Sequence, residues 1–377
     1  MAIAKYAELL ERPPQVSMTW KAALYIRLSR EDGDKIESNS ITSQREILKE
    51  YLKLHPDIEL YDFYVDGSSI VGLRQKVLVK QVFSDLVQLF FIFRQISKER
   101  MWNMGKIVAI TNFKGGVGKT ATALNLGAAL SAANKEVLLI DNDPQGNLTA
   151  ALGFTPAEQK RTLANLLLSA IDYPEDMEFH LERSVLRTES GLSLIPASRR
   201  LADAAARLQV MQLSQYNAVG DAERSCEKVM DSLMPFLRDV YDYIIIDCGL
   251  KHELLTINAL VASDYCIIPV QSHFLASEGV PEVLDMVRSV KERFNPKLEI
   301  AGILLTMYQS RPQLCRSVRE SVVDIYGGDY HVFERPIEYS IKVAESPAAG
   351  QSIFEYAPKN AAAESYRSLA QEVLLLG

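Results

Sequence analysis

From residue 105 onward, short apolar runs alternate with longer stretches whose apolar positions recur at helical spacing. Ile107–Thr111, Val137–Asp141, Leu192–Pro196, Tyr243–Asp247, Tyr265–Val270 and Ile300–Thr306 read as strands, most of them apolar throughout rather than alternating. A strand with no polar face is buried on both faces. These runs therefore predict a doubly wound, mostly parallel sheet covered by helices on both sides, an α/β architecture. Helical patterning fills the intervals, at Ala121–Ala133, over most of Ser198–Val240 and at Asn360–Leu376.

The first hundred residues read differently. Ala22–Leu28 and Ile58–Val65 pattern as strands, the second ending at an Asp66-Gly67 turn. Ile41–Leu54, with Ser40 as N-cap, and residues 73–100 pattern as helices. Composition shifts at Met101–Met104, which places a domain boundary near residue 103: a small α/β extension over 1–103 and the main domain over 104–377.

Composition narrows the function classes. Over 377 residues the net charge is -7, which argues against a chain that coats nucleic acid by bulk charge and leaves room for a local basic patch. Cys226, Cys248, Cys266 and Cys315 have neither zinc nor C-x-x-C spacing, which fits a reduced cytoplasmic setting. Met1–Trp20 carries Glu8, Glu11, Arg12 and Pro13-Pro14, so it does not read as a signal peptide. Gln81–Phe93, interrupted by Asp85 and Gln88, is too short to span a bilayer and reads as an amphipathic helix.

The candidate chemistry lies between Gly105 and Gly146. Lys114-Gly115-Gly116-Val117-Gly118-Lys119-Thr120 follows a strand and opens the helix that continues through Ala121. Glycines let the backbone N–H groups turn inward around phosphate oxygens, and the helix N-terminus adds its dipole. In such a loop Lys119 neutralises the β- and γ-phosphates and the Thr120 hydroxyl ligates Mg²⁺. Lys114 is an additional lysine: either a solvated loop charge or a group reaching phosphates held by a partner subunit. Asp141 and Asp143 end the next strand, where one carboxylate can organise Mg²⁺ water and the other orient an attacking water. Tyr243–Asp247 has the form of a Walker B strand, with Asp247 holding Mg²⁺ through water.

At these residues the chain resembles the deviant Walker A ATPases of the ParA/MinD type, above all the ParA/Soj partition proteins. The resemblance covers about residues 104–377. It rests on I-T-N-F-K-G-G-V-G-K-T, L-L-I-D-N-D-P-Q-G-N-L-T, Y-D-Y-I-I-I-D-C, L-L-T-I-N-A-L, I-P-V-Q and V-A-E-S-P-A-A-G-Q-S-I-F-E-Y. It implies ATP and Mg²⁺ as cofactors, with Gly115 to Ala121 around the nucleotide and Thr120, Asp143 and Asp247 at the metal. Lys114 would act across a homodimer formed on ATP binding, and Asp143 would activate water. The partners implied are non-specific DNA and a centromere-binding, ParB-type protein that triggers hydrolysis. The setting implied is cytoplasmic and nucleoid-associated, in maintenance of a plasmid or mobile element. Arg311 matches a DNA-contacting position, and Arg316, Arg319 and Lys342 could join it in a basic patch. A MinD-like protein, positioned on a membrane or another protein, is the alternative.

The chain also departs from that family. Ala121 stands where a second threonine is usual, and Gly249-Leu250-Lys251-His252-Glu253 replaces the usual P-P-S-L-G. Lys342 is the one basic residue left where I-P-R-N-V-R is common. Separately, Tyr25–Arg30, Ser38–Leu48 and Tyr64–Gly67 resemble the start of a large serine recombinase, with Ser29 at the nucleophile position and Arg27 and Gln44 at active-site positions. The resemblance stops after Gly67, which implies an inactive fragment; a working recombinase is the remaining alternative.

Overall fold

The apolar runs from Lys106 onward become adjacent strands of one sheet. In the computed structural model the described residues are 20–26, 58–65, 105–173, 180–181, 183–217, 225–250, 253–273 and 279–376. The chain divides into two units, residues 1–89 and 90–377. In the first, β1 (Trp20–Ile26) and β2 (Ile58–Val65) pair in parallel, as the strand patterning predicts. The helices expected at 41–54 and 73–100 lie outside the described residues.

Among its described residues the second unit carries seven strands: β3 (Lys106–Ile110), β4 (Val137–Asn142), β5 (Leu186–Arg187), β6 (Ser193–Ile195), β7 (Tyr243–Cys248), β8 (Tyr265–Gln271) and β9 (Glu299–Thr306). Their order is β5-β6-β4-β7-β3-β8-β9, and every pairing is parallel except β5 with β6. The chain runs outward from β3 through β4 to β6, then returns to β7 between them. The C-terminal ends of β3, β4 and β7 therefore lie side by side, where a doubly wound sheet opens toward ligands.

Two cores explain why these strands lack a polar face. Ile107, Leu138, Ile140, Ile244 and Ile246 point to one side, against α3 (Leu163–Asp172), α4 (Leu201–Asn217), α6 (Glu253–Ala262) and α7 (Val280–Arg293). Val108, Ile110, Leu139 and Ile245 point to the other, against α1 (Lys119–Ala132) and α11 (Ala361–Leu374). Each fully buried leucine or isoleucine contributes about 2 kcal/mol by leaving water. The shorter helices are α2 (Asn147–Ala151), α5 (Met234–Arg238), α9 (Ile341–Glu345) and α10 (Ile353–Tyr356), and α8 spans Gln313–Tyr326. Helix α1 begins at Lys119, two residues before the helical pattern suggests, because the loop glycine Gly118 caps it directly.

The start of β3 is held from several sides. Arg238 Nη1 donates to the Gly105 carbonyl at 2.8 Å, and its guanidinium grips Asp264 with bonds of 2.7 and 2.9 Å. Asp264 also accepts from the Ile107 N–H at 2.8 Å. Gly105 is packed so closely that a Cβ there would stand 2.0 Å from the Tyr241 carbonyl oxygen. Gly105→Ala should therefore destabilise the domain by about 1–3 kcal/mol through backbone displacement, read as a lowered midpoint in urea unfolding with an unchanged slope.

Candidate functional site

Between β3 and α1 the backbone makes a turn that requires glycine. Gly116 and Gly118 take φ of 73° and 86°, in the left-handed region that side-chain-bearing residues rarely enter. The loop is fixed from beneath. Thr306 Oγ1, at the end of β9, donates to the Val117 carbonyl at 2.8 Å. Asn112 donates to the Pro269 carbonyl at 2.8 Å and accepts from the Lys114 N–H at 2.9 Å. Lys119 lies inside this turn, with its ammonium on the carbonyls of Asn112 (2.9 Å) and Lys114 (3.2 Å). Burial lowers its pKa, while the charge of Asp247 pulls the other way.

The carboxylates meet at the strand ends. Parallel pairing places Asp141 of β4 beside Asp247 of β7, and Ile110 of β3 on its other side. Both aspartates are fully buried. Asp141 is occupied: it accepts from the Thr149 N–H (2.8 Å), the Thr149 hydroxyl (2.7 Å) and the Asp143 N–H (3.2 Å). Burial still raises its pKa to about 6, against these bonds. Asp247 is less well served. Burial, followed by the charge of Asp141, raises its pKa to about 8, opposed by a hydrogen bond from Thr120 and the charge of Lys119. Its Oδ1 has no hydrogen-bond partner among the described residues. A buried carboxylate oxygen unpartnered among the described residues, beside a threonine hydroxyl at a helix N-terminus, fits a small divalent cation, which Asp247 and Thr120 would hold. Among the described residues no cluster of three His, Cys, Asp or Glu side chains forms a separate metal site.

Asp143 stands half-buried at the mouth, its Oδ1 accepting from the Gln145 N–H at 3.0 Å. Gly249 backs it so tightly that a Cβ there would stand 2.9 Å from Asp143 Cγ. Lys114 is half-buried on the loop. Ala121 lines a cavity of about 400 Å³ that opens from Gly118 and Thr120 toward Met307, Ile337, Tyr339 and Val343. The pattern along the chain gives no sign of this cavity, because its walls come from the end of β9 and from residues 337–347. Met307 adopts φ 52°, rare for a residue with a side chain, and the sequence carries no signal of it. Asn112, Thr149 and Thr306 are further site residues that sequence reasoning does not single out, although Asn112 and Thr149 sit inside the family-like motifs.

The four basic candidates are dispersed over three segments. Arg311 precedes α8, and Arg316 and Arg319 lie one turn apart on it, all three exposed. Arg319 donates to the Glu334 carbonyl at 3.2 Å. Lys342, in α9, pairs with Glu345 at 2.8 Å and lies over the Tyr356 ring. All four cysteines are free and buried.

Asp247 sets a pH dependence with a definite sign. Its folded pKa lies above its ordinary value, so the folded protein binds the extra proton and gains stability from it at low pH. In EDTA, stability should fall as pH rises from about 4 to about 8. Asp247→Asn should flatten the upper part of that fall, leaving the part due to Asp141 below about pH 6. Thermal melts across that range check it.

Comparison with known proteins places this site in a family. A protein-family model described as an AAA domain matches residues 105–300. The chain is 40% identical over 274 residues to the sporulation initiation inhibitor protein Soj of Bacillus subtilis, covering 73% of this chain and 100% of that one. It is 35% identical over 271 residues to the chromosome partitioning protein ParA of Caulobacter vibrioides, covering 71% and 94%. Among solved structures, cobyrinic acid a,c-diamide synthase from Mycobacterium smegmatis, with bound ADP and magnesium, superposes with a TM-score of 0.59 at 32% identity, over 72% of this chain and 94% of that one. These similarities give no support to the recombinase-like resemblance, whose Arg27, Ser29 and Gln44 lie outside the described residues. With its phosphate loop, paired strand-end aspartates and these relatives, the chain belongs to the ParA/Soj family of partition ATPases.

Proposed function

We propose that this protein binds ATP with Mg²⁺, dimerises around it, associates with DNA and hydrolyses ATP to drive partition of a plasmid or mobile element. One observation carries the reading: the buried Asp247, with an oxygen lacking a partner among the described residues, faces Thr120 at the end of a phosphate loop that contains both Lys114 and Lys119. The M. smegmatis synthase was crystallised with ADP and magnesium, which supports the same class of ligands here. The family match beginning at residue 105 supports an ATPase domain that starts near residue 103.

The placement of these side chains supports the following roles. Thr120 and Asp247 would hold Mg²⁺, which supplies charge neutralisation at the β- and γ-phosphates. Lys119 exchanges its carbonyl partners for phosphate oxygens. The cavity lined by Met307, Ile337 and Val343 takes the base, whose ring faces can pack on these side chains. Asp143 orients water for in-line attack, and Gly249 leaves its carboxylate room to do so. Lys114 reaches the phosphates held by a second copy, so ATP bridges the dimer. Basic residues of both copies, with Arg311, Arg316, Arg319 and Lys342 as candidates, then meet DNA phosphates, and a ParB-type partner stimulates turnover.

One observation weighs against the MinD-like alternative. The apolar face of α11, with Ala363, Tyr366, Leu369 and Val373, is buried in the core shared with α1. A helix so committed has no free apolar face for a bilayer. No helix among the described residues is long and apolar enough to cross a membrane.

Lys119→Ala should abolish binding of a fluorescent ATP analogue. Asp143→Ala should keep nucleotide binding, lose about 100-fold or more in turnover, and accumulate as an ATP-dependent dimer in size-exclusion chromatography. Rapid turnover by Asp143→Ala would sink the role given to that residue. Co-sedimentation with DNA and with anionic liposomes, each in the presence of ATP, should show ATP-dependent pelleting with DNA alone.

A further inference from the structure

A concentration of positive charge lies where α3 and α4 begin. Lys160 and Arg161 lead into α3, Arg199 and Arg200 lead into α4, and all four are exposed. One hydrogen bond brings the two starts together: the Leu163 N–H donates to the Pro196 carbonyl at 2.9 Å. Farther along, Arg207 of α4 pairs with Asp172, at the end of α3, at 3.3 Å. The two helices therefore run side by side in the same direction, with both N-termini at this end. Among the described residues none of the four cations takes part in an ion pair. The carboxylates in the same stretches are Glu158 and Asp203, both exposed.

Ser198 supplies a second, independent sign. It is 6% exposed, and its hydroxyl has no hydrogen-bond partner among the described residues. Its carbonyl accepts from the Leu201 N–H at 2.9 Å, which puts Ser198 at the opening turn of α4. A serine at that position ordinarily uses its hydroxyl to cap the helix; this one does not. A buried polar group left without a partner costs stability, and a bound group that meets it removes the cost.

These features select an anion with several charges. Two helix dipoles pointing the same way add their positive ends. Guanidinium groups match phosphate oxygens in pairs, and a hydroxyl donates to a further oxygen. A lone carboxylate would leave most of the four cations unanswered, whereas phosphates joined in a row meet them together. The chain as a whole carries a charge of -7, so attraction for such a ligand has to be local.

The place is distinct from the phosphate loop. Strand β6 lies three strand spacings from β3, about 14 Å. Gly146 marks where the approaches to α3 and α4 meet: a Cβ there would stand 2.8 Å from Pro156 and 3.6 Å from the Ala197 carbonyl oxygen. The Gly146 N–H donates to the Asp143 carbonyl at 2.9 Å, so this junction adjoins the turn that bears Asp143.

We propose that the paired starts of α3 and α4 form a second phosphate-binding site, in which Lys160, Arg161, Arg199, Arg200 and the Ser198 hydroxyl hold consecutive phosphates of a polyanion. Two sources share that chemistry, a DNA backbone and a free oligophosphate. The site itself does not depend on ATP binding; its assignment to DNA rests on the DNA association proposed above.

The test uses the full chain, with the phosphate loop first filled by the ATP analogue. Inorganic tripolyphosphate is titrated by calorimetry, and a short fluorescein-labelled DNA duplex by anisotropy over a range of salt. The combined variant Arg161→Gln, Arg199→Gln, Arg200→Gln should lose about tenfold in affinity, and its salt slope toward DNA should fall by about three. It should still bind the ATP analogue. Ser198→Ala should keep its thermal midpoint and lose about threefold in affinity. A variant with the same loss of charge on α7, Arg288→Gln, Lys291→Gln, Arg293→Gln, should bind as the parent does. Loss toward DNA assigns the phosphates to a nucleic-acid backbone, and loss toward tripolyphosphate alone assigns them to a free oligophosphate. Equal affinity of parent and combined variant for both probes overturns the site, as does an equal loss in the α7 variant. Unchanged affinity in Ser198→Ala overturns the part given to its hydroxyl. If the parent protein fails to take up the ATP analogue, that result counts against the proposed ATPase alone, because the comparison of parent and variant still reads the second site.

Discussion

Two carboxylates placed side by side in the interior govern the arrangement of this domain. The parallel register of β4 and β7 sets Asp141 against Asp247 with no solvent to separate their charges. An uncompensated buried charge costs several kcal/mol, so each aspartate must be answered. Asp141 is answered locally, by the turn that Thr149 closes over it. Thr149 in turn accepts from the Ala197 N–H at 2.9 Å, which ties the segment after β6 to the same turn. Asp247 is answered only in part, by Thr120 and by the field of Lys119. The difference between the two leaves Asp141 hydrogen-bonded and Asp247 with an oxygen that has no partner among the described residues.

The same strand ends explain why a small change in the segment after β7 has wide reach. Asn142 donates to the Leu255 carbonyl at 2.9 Å, and Gly249 N–H donates to the Asn142 carbonyl at 3.3 Å. The turn between β7 and α6 is thus hydrogen-bonded to the end of β4, on which Asp143 stands. With no side chain at position 249 to hold the carboxylate off, Asp143 packs directly on backbone. The segment that departs most from the family pattern is therefore the one in contact with both Asp143 and the phosphate loop.

Much of this was legible in the residues themselves. Apolar runs without alternation announced a parallel sheet, and the strands appear where those runs lie, because burial on both faces leaves no room for a polar position. The phosphate loop was legible because glycine at positions of positive φ and the lysine-threonine pair that follows are local requirements. What escaped were contacts made across the chain. Met307 and residues 337–347 wall a cavity with Gly118 and Thr120, although about 190 to 230 positions separate them in sequence. The antiparallel β5 is a two-residue strand, too short to carry a pattern. The satisfied state of Asp141 was equally invisible, since its partner Thr149 belongs to the next turn and nothing in the composition marks it. The basic residues at 311, 316, 319 and 342 are plain in the chain, but their separation into different segments depends on the fold.

Lys119 carries a further implication. Its ammonium already holds the carbonyls of Asn112 and Lys114, so the loop is wrapped around its own cation. An incoming anion competes with these two dipoles for the lysine. A weakly charged anion offers little more than the carbonyls do, whereas a polyphosphate offers several full charges and can also recruit Thr120 and the backbone N–H groups. In the phosphate-binding role proposed for Lys119, these two resting bonds would favour ligands of high charge density.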